Sequence, residues 1–241
     1  MDPWQNENDA VPAAKMSRRE WWMGVIGLSL ALVGVWGVWV PHRVVALVLS
    51  GWDLAEFVKF LPGVTVVREC FYLPVWCAAV ALGLMASQRT DGTAGGQGEA
   101  RARRRRQIAR KVLVRLLALG LAVAILPPYP HLLDGYRSAE FRWRFIMGLG
   151  ACLWVLVSAF GKRPPSRAVG RTLAGLALLG TVPALWQLLQ VRAPIAAIYD
   201  APLGWGWGVG ALLLGWALVG WVGVRSFLQR DVRPWSGGMC I

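Results

Sequence analysis

Asp53, Glu56 and Glu140 are the carboxylates of this chain best placed to do chemistry, and His42 and His131 are its only histidines. Glu56 and Glu140 hold matched places in Gly51-Trp-Asp-Leu-Ala-Glu-Phe57 and Gly135-Tyr-Arg-Ser-Ala-Glu-Phe141. The two segments agree at Gly, Ala, Glu and Phe and set aromatic against aromatic. Paired carboxylates at a dry mouth could exchange protons or coordinate a hard cation, with Asp134 and Asp200 as further acids. The plainer expectation is that each acid is solvated or paired with Lys59, Arg137, Arg142 or Arg144. Arg137 and Arg144 stand three before and four after Glu140, the spacing of helical ion pairs, and such pairs are common and individually weak. The seven-residue match is short enough to be coincidence. If it is a duplication, it is parallel rather than inverted.

His42 and His131 each follow an apolar stretch. Two imidazoles at one depth could ligate a metal or haem. Neither lies inside a stretch, so both are expected to be interfacial polar residues. Cys70, Cys77, Cys152 and Cys240 form no Cys-x-x-Cys pair and no cluster with histidine, and only Cys70 falls near the outer side. Neither a disulfide framework nor a zinc site follows. No metal and no cofactor is expected. A second, deeper polar group is Thr181, Gln187 and Gln190, near Pro183, which should kink its helix. These side chains could line a small intramembrane polar site, though interhelical hydrogen bonds account for them equally.

The elements that must position these residues are six apolar stretches, at 21–40, 71–86, 112–126, 145–160, 168–189 and 203–227. With 56% apolar residues, 16% charged residues and a mean hydropathy of +0.47, the chain is a poor soluble globule. A bilayer core takes about 20 apolar residues per helix. The first, fifth and sixth stretches meet that length. The second, third and fourth need flanking residues such as Arg68, Glu69, Arg110 and Lys111 to snorkel.

Charge sets the orientation. If the N-terminus is cytoplasmic, 18 of the 26 Lys/Arg fall on inner segments and 7 on outer loops, with Arg115 inside a stretch. Acids divide almost evenly, 7 and 6. Lys and Arg near helix ends resist translocation, so the basic side is retained. A pI near 10.8 would suggest nucleic acid in a soluble protein. Here topology and attraction to anionic lipid explain the run from Arg101 to Lys111, so no nucleic-acid partner is expected.

The fold expected is therefore all-α: a polytopic membrane protein with six transmembrane helices in three hairpins and an amphipathic outer helix over 51–61. In that helix Trp52, Leu54, Phe57, Val58 and Leu61 form the apolar stripe, and Asp53, Glu56 and Lys59 lie opposite. Ser50 or Asp53 caps it, and Pro62-Gly63 ends it. Residues 1–20 and 231–241 are read as cytoplasmic tails around a transmembrane domain at 21–230, with the first span acting as an uncleaved anchor. The linker 88–100 reads as flexible, and the basic segment after it as helix running into the third span. Trp21, Trp22, Trp36, Trp39, Trp205 and Trp207 are expected at the headgroup level. Gly206-x-x-x-Gly210 is expected to allow close helix approach, to a partner within the chain or outside it.

Function is bounded mainly by absences in the sequence. No Asp, Glu, His or Lys falls in the middle of a stretch, as pumps and intramembrane hydrolases usually require. There is no P-loop, dinucleotide fingerprint, HExxH or GxSxG. The expected role is a multi-pass membrane subunit without its own energy source, a membrane component of a transport complex with protein partner subunits. The alternatives are a non-catalytic scaffold or assembly subunit and, third, a membrane enzyme using the outer acids.

Overall fold

The computed structural model describes residues 16–42, 48–61, 67–88, 97–128, 131–132, 134–161 and 164–228, with the backbone alone at 97–104 and 166. The chain is mostly helical. Helix α1 spans Arg18–Trp36, and β1 (Val38–Val40) pairs antiparallel with β2 (Leu49–Ser50). Next come α2 (Gly51–Phe57), a 3-10 turn at Val58–Phe60 and another at Arg68–Phe71. The remaining helices are α3 (Leu73–Ser87), α4 (Gln97–Ile125), α5 (Arg142–Phe160), α6 (Ser166–Leu179), α7 (Val182–Tyr199) and α8 (Trp207–Leu228).

Local chemistry explains the boundaries. Helix α1 starts at a capping box, in which the Glu20 amide donates to Ser17 Oγ at 3.2 Å and the Ser17 amide donates to Glu20 Oε2 at 3.0 Å. Helix α4 stops just before Pro127-Pro128, which cannot extend it. The basic segment is continuous with the apolar one, as expected, since α4 runs unbroken from Gln97. The linker residues 89–96 lie outside the described residues, as do 1–15 and 229–241 of the tails.

Among the described residues three stretches are long and apolar enough to cross a bilayer: Arg142–Phe160, Arg167–Tyr199 and Trp207–Leu228. Leu73–Ser87 is as apolar but shorter. The outward faces of α4, α5, α6 and α8 carry large exposed apolar side chains, among them Leu116, Val157, Leu178 and Leu214. Such a surface suits hydrocarbon rather than water, and it marks the protein as membrane-embedded. The core sits around α3, which is buried on nearly its whole circumference. Helices α1, α4, α5 and α6 surround it. The Trp76 indole N–H donates to the Met147 carbonyl at 3.0 Å and that of Trp154 to the Val80 carbonyl at 3.3 Å, tying α3 to α5.

Glycine sets the packing of α1, α8 and α6. A Cβ on Gly215 would stand 2.3 Å from the Ala31 amide nitrogen, and one on Gly34 would stand 2.4 Å from that of Leu212. Gly170 and Gly223 face each other across α6 and α8, each would-be Cβ 2.6 or 2.7 Å from the other's carbonyl oxygen. The expected Gly206/Gly210 pair is not the contact. Gly206 lies against the Val38 carbonyl, and Gly210 has no atom within 4 Å of its would-be Cβ. The close-approach face of α8 is instead Gly208, Gly215 and Gly223, spaced by about two turns, and its partners are in the same chain.

Two other expectations are corrected. The fifth stretch breaks into α6 and α7 at Gly180-Thr181, ahead of Pro183, which sits in the first turn of α7 where its missing N–H is harmless. Trp21 and Trp39 are core residues, 3% and 1% exposed, while Trp22, Trp36, Trp205 and Trp207 are exposed. The Trp39 indole N–H donates to the Gly34 carbonyl at 2.8 Å, a partner that lets the ring be buried.

Candidate functional site

Glu56 and Glu140, the matched acids, meet through Lys59 at one end of the bundle, where α2, the Arg68–Phe71 turn and the start of α5 converge. Helix α2 begins at Ser50 because the Asp53 amide donates to Ser50 Oγ at 3.1 Å, while the Ser50 amide and hydroxyl donate back to Asp53 Oδ2 at 3.1 and 2.7 Å. Asp53 is thus a capping residue. The helix then tightens into the 3-10 turn. Leu54, Val58 and Leu61 are buried, Trp52 and Phe57 half-buried, and Asp53 and Lys59 exposed, which is the expected stripe. Its α-helical part is seven residues rather than eleven.

That stripe fixes Glu56 and Lys59 beside the bundle. Lys59 Nζ lies 2.5 Å from Glu56 Oε2 and 2.7 Å from Glu140 Oε1, joining the two matched acids. Arg68 donates through Nη1 to Glu140 Oε1 at 3.1 Å, through Nε to Glu69 at 3.2 Å, and through Nη2 to the Glu140 carbonyl. Glu56 Oε1 accepts from the Tyr72 hydroxyl at 2.5 Å and from Arg144 Nη1 at 3.0 Å. The buried Arg144 also donates to the Tyr72 oxygen at 3.1 Å and, through Nε, to the Ile125 carbonyl at 2.8 Å. That last bond caps the C-terminus of α4 with a cation, which the helix dipole favours. The cluster ties α2, α3, α4 and α5 together at one end.

Electrostatics follow from these contacts. Burial pushes the Glu56 carboxyl up, but hydrogen bonds from Lys59 and Tyr72 and the charges of Lys59 and Arg144 outweigh it, leaving it below the usual value. The hydrogen bond from Lys59 holds Glu140 low, with Arg68 adding to it. Burial lowers the Lys59 ammonium, and the two glutamates more than restore it. A general base poised near neutrality needs a carboxyl shifted the other way. Lys59, Arg68 and Arg144 also match Glu56, Glu69 and Glu140 in number, so a metal cation would meet as much positive as negative charge. Among the described residues no three His, Cys, Asp or Glu side chains converge. The arrangement is suited to holding helix ends together.

The sequence offers Lys59 and Arg144 as partners for the acids but does not point to Arg68 or Tyr72. Neither follows from spacing, because the Arg68–Glu140 contact bridges 72 positions. The helical spacings of Arg137 and Arg144 to Glu140 are not used, since residues 134–141 form turns rather than helix. The matched segments therefore differ in fold, one α-helical and one not. The two histidines meet different aromatics: His42 packs tilted against Tyr199 at 4.7 Å, and His131 stacks on Phe141 at 4.9 Å.

The deeper polar residues lie along α7 and its start. The Thr181 hydroxyl donates to the Ala177 carbonyl at 2.7 Å, satisfying a group freed by the break. Gln187 is half-buried beside Cys70, and Gln190 is exposed. Burial and the charge of Glu69 raise the Cys70 thiol, the wrong direction for a nucleophile. The chain matches no known protein family, no curated protein and no solved structure.

Proposed function

We propose that this chain is a six-span membrane subunit with both termini in the cytoplasm and no energy source of its own, serving as the membrane component of a transport complex. The observation that carries this reading is the basic arm of α4. Residues 97–111 continue the helix about 20 Å beyond the apolar segment, and Arg105 and Arg106 on it are exposed. A rigid cationic rod on the retained side is a ready dock for an energised partner or for anionic lipid. The contacts at the α2 end also favour six spans. They gather the last turns of α1 and α4 with the first turns of α3, α5 and α8, as three outward-and-return hairpins would.

A scaffold or assembly subunit is the second reading, favoured by the glycine-packed α1–α8–α6 unit, whose backbones touch too closely to slide. Deleting the chain separates the two. The transport reading expects membrane vesicles from deleted cells to lose uptake of a solute class while the partner subunits still assemble. The scaffold reading expects a larger complex to fall apart with every uptake rate unchanged. Unchanged uptake together with intact assembly would contradict both.

A further inference from the structure

Helices α1 and α4 both flank α3 and both leave the basic end, where a contact links them. The Arg110 guanidinium lies 4.2 Å from the centre of the Trp21 ring, a close cation–π pair. Beyond it the helices leave a groove of about 590 Å³ between them. Val25, Leu28 and Leu32 wall it from α1, Leu113 and Leu117 from α4, and Leu82 of the central helix is its floor. Ser29 is its one hydroxyl. Gly120, also in the wall, has no atom within 4 Å of its would-be Cβ, so the space is open there. From Val25 to Leu32 the groove runs roughly 10 Å along the helix axis, starting one turn beyond Trp21.

The mouth is cationic. Arg18 and Arg19 open α1, Arg110 lies on Trp21, and Lys111 follows it. Arg18 stands three residues before Trp21, on the face of α1 that meets Arg110; burial, and then the charge of Arg18, lower the proton affinity of the Arg110 guanidinium. Among the described residues Glu20 is an acid near this level; it is buried and the Ser17 amide is one of its partners. An apolar slot under a pair of arginines matches a molecule with an anionic head and a hydrocarbon tail.

We propose that this groove holds one acyl chain of an anionic phospholipid, with the headgroup phosphate at Arg18 and Arg110. The inference rests on the reading of this end as cytoplasmic, where the leaflet is anionic. The lipid would complete the wall between α1 and α4 and make their spacing depend on membrane composition.

The test uses the full chain in mild detergent, titrated with phosphatidylglycerol, phosphatidylcholine or inorganic phosphate and read by native mass spectrometry and thermal shift. Phosphatidylglycerol is expected to bind above phosphatidylcholine, with each arginine contributing about fivefold, and phosphate alone is expected to do nothing. R18Q/R110Q should erase the preference for the anionic head. G120L, whose side chain enters open space, should weaken both lipids, while R105Q/R106Q, farther along the arm, should keep the preference. Four results would overturn the proposal: stabilisation by phosphate alone, no headgroup preference, equal loss in R105Q/R106Q, or unchanged binding in G120L. Cross-linking of a cysteine at Leu117 to a protein chain in native membranes would overturn it too. Binding in detergent does not depend on the leaflet, so an inverted topology would sink the orientation and leave the lipid result standing.

Discussion

At the residue scale the account turns on Arg144, buried and bonded at once to Glu56, Tyr72 and the end of α4. Arg144→Met removes charge-assisted bonds and leaves the Ile125 carbonyl without its donor, so it should cost about 1–3 kcal/mol. Lys59→Gln loses only exposed pairs and should cost less than about 1 kcal/mol. Chemical unfolding in detergent would rank the two, and equal effects would contradict the assigned roles. Acid should also loosen this cluster. The Glu56 and Glu140 carboxyls sit below the usual 4.5, so the stability they confer is complete above that pH and drains as pH falls through their lower folded-state values. Lys59 sits above 10.5, and its share is lost only as pH rises past that. Thermal midpoints should be flat from pH 7 to 5 and fall below about 4.5, with a smaller fall in Glu140→Gln. A loss centred near pH 6 would point to other groups. Partners of this kind were only partly legible in the sequence, because Lys59, Arg68 and Glu140 meet through the tertiary fold. The Ser50–Asp53 cap was legible because it is local.

Among elements, α8 carries the sharpest contrast. Gly215→Ala would press a methyl into the α1 backbone and should destabilise by about 1–3 kcal/mol or more. Gly210→Ala meets open space and should be neutral or stabilising by up to about 1 kcal/mol. Melting of the two variants in one detergent checks this, and equal losses would overturn the packing face. The apolar stretches were legible as helix-forming from length and apolarity, and among the described residues three of them are long enough to cross a bilayer. Which glycines touch was not, since a Gly-x-x-x-Gly spacing names a possible face without naming the face that meets a partner. The break at Gly180-Thr181 was displaced from its sequence signal for a related reason. Proline is tolerated in the first turn of a helix, so the chain breaks before Pro183 rather than at it.

Across the whole molecule the protein divides into the basic arm of α4, the glycine-packed α1–α8–α6 half and the ion-pair cluster at the α2 end. The proposed orientation predicts that, in a chain freed of its own cysteines, an impermeant thiol reagent added outside labels Lys59→Cys and Arg192→Cys but not Arg105→Cys. Labelling of Arg105→Cys alone would invert the topology. The central claim is that the chain has no energy source. Moving charge through hydrocarbon without a buried counter-group costs at least several kcal/mol, and Glu56, Glu69 and Glu140 at the α2 end are engaged with cations while Asp53 caps α2. The most direct measurement is solute uptake by liposomes holding this chain alone under imposed proton and sodium gradients. The account predicts no accumulation above protein-free liposomes. Driven uptake that disappears in Glu56→Gln or Glu140→Gln would contradict it and place the function in the acids themselves.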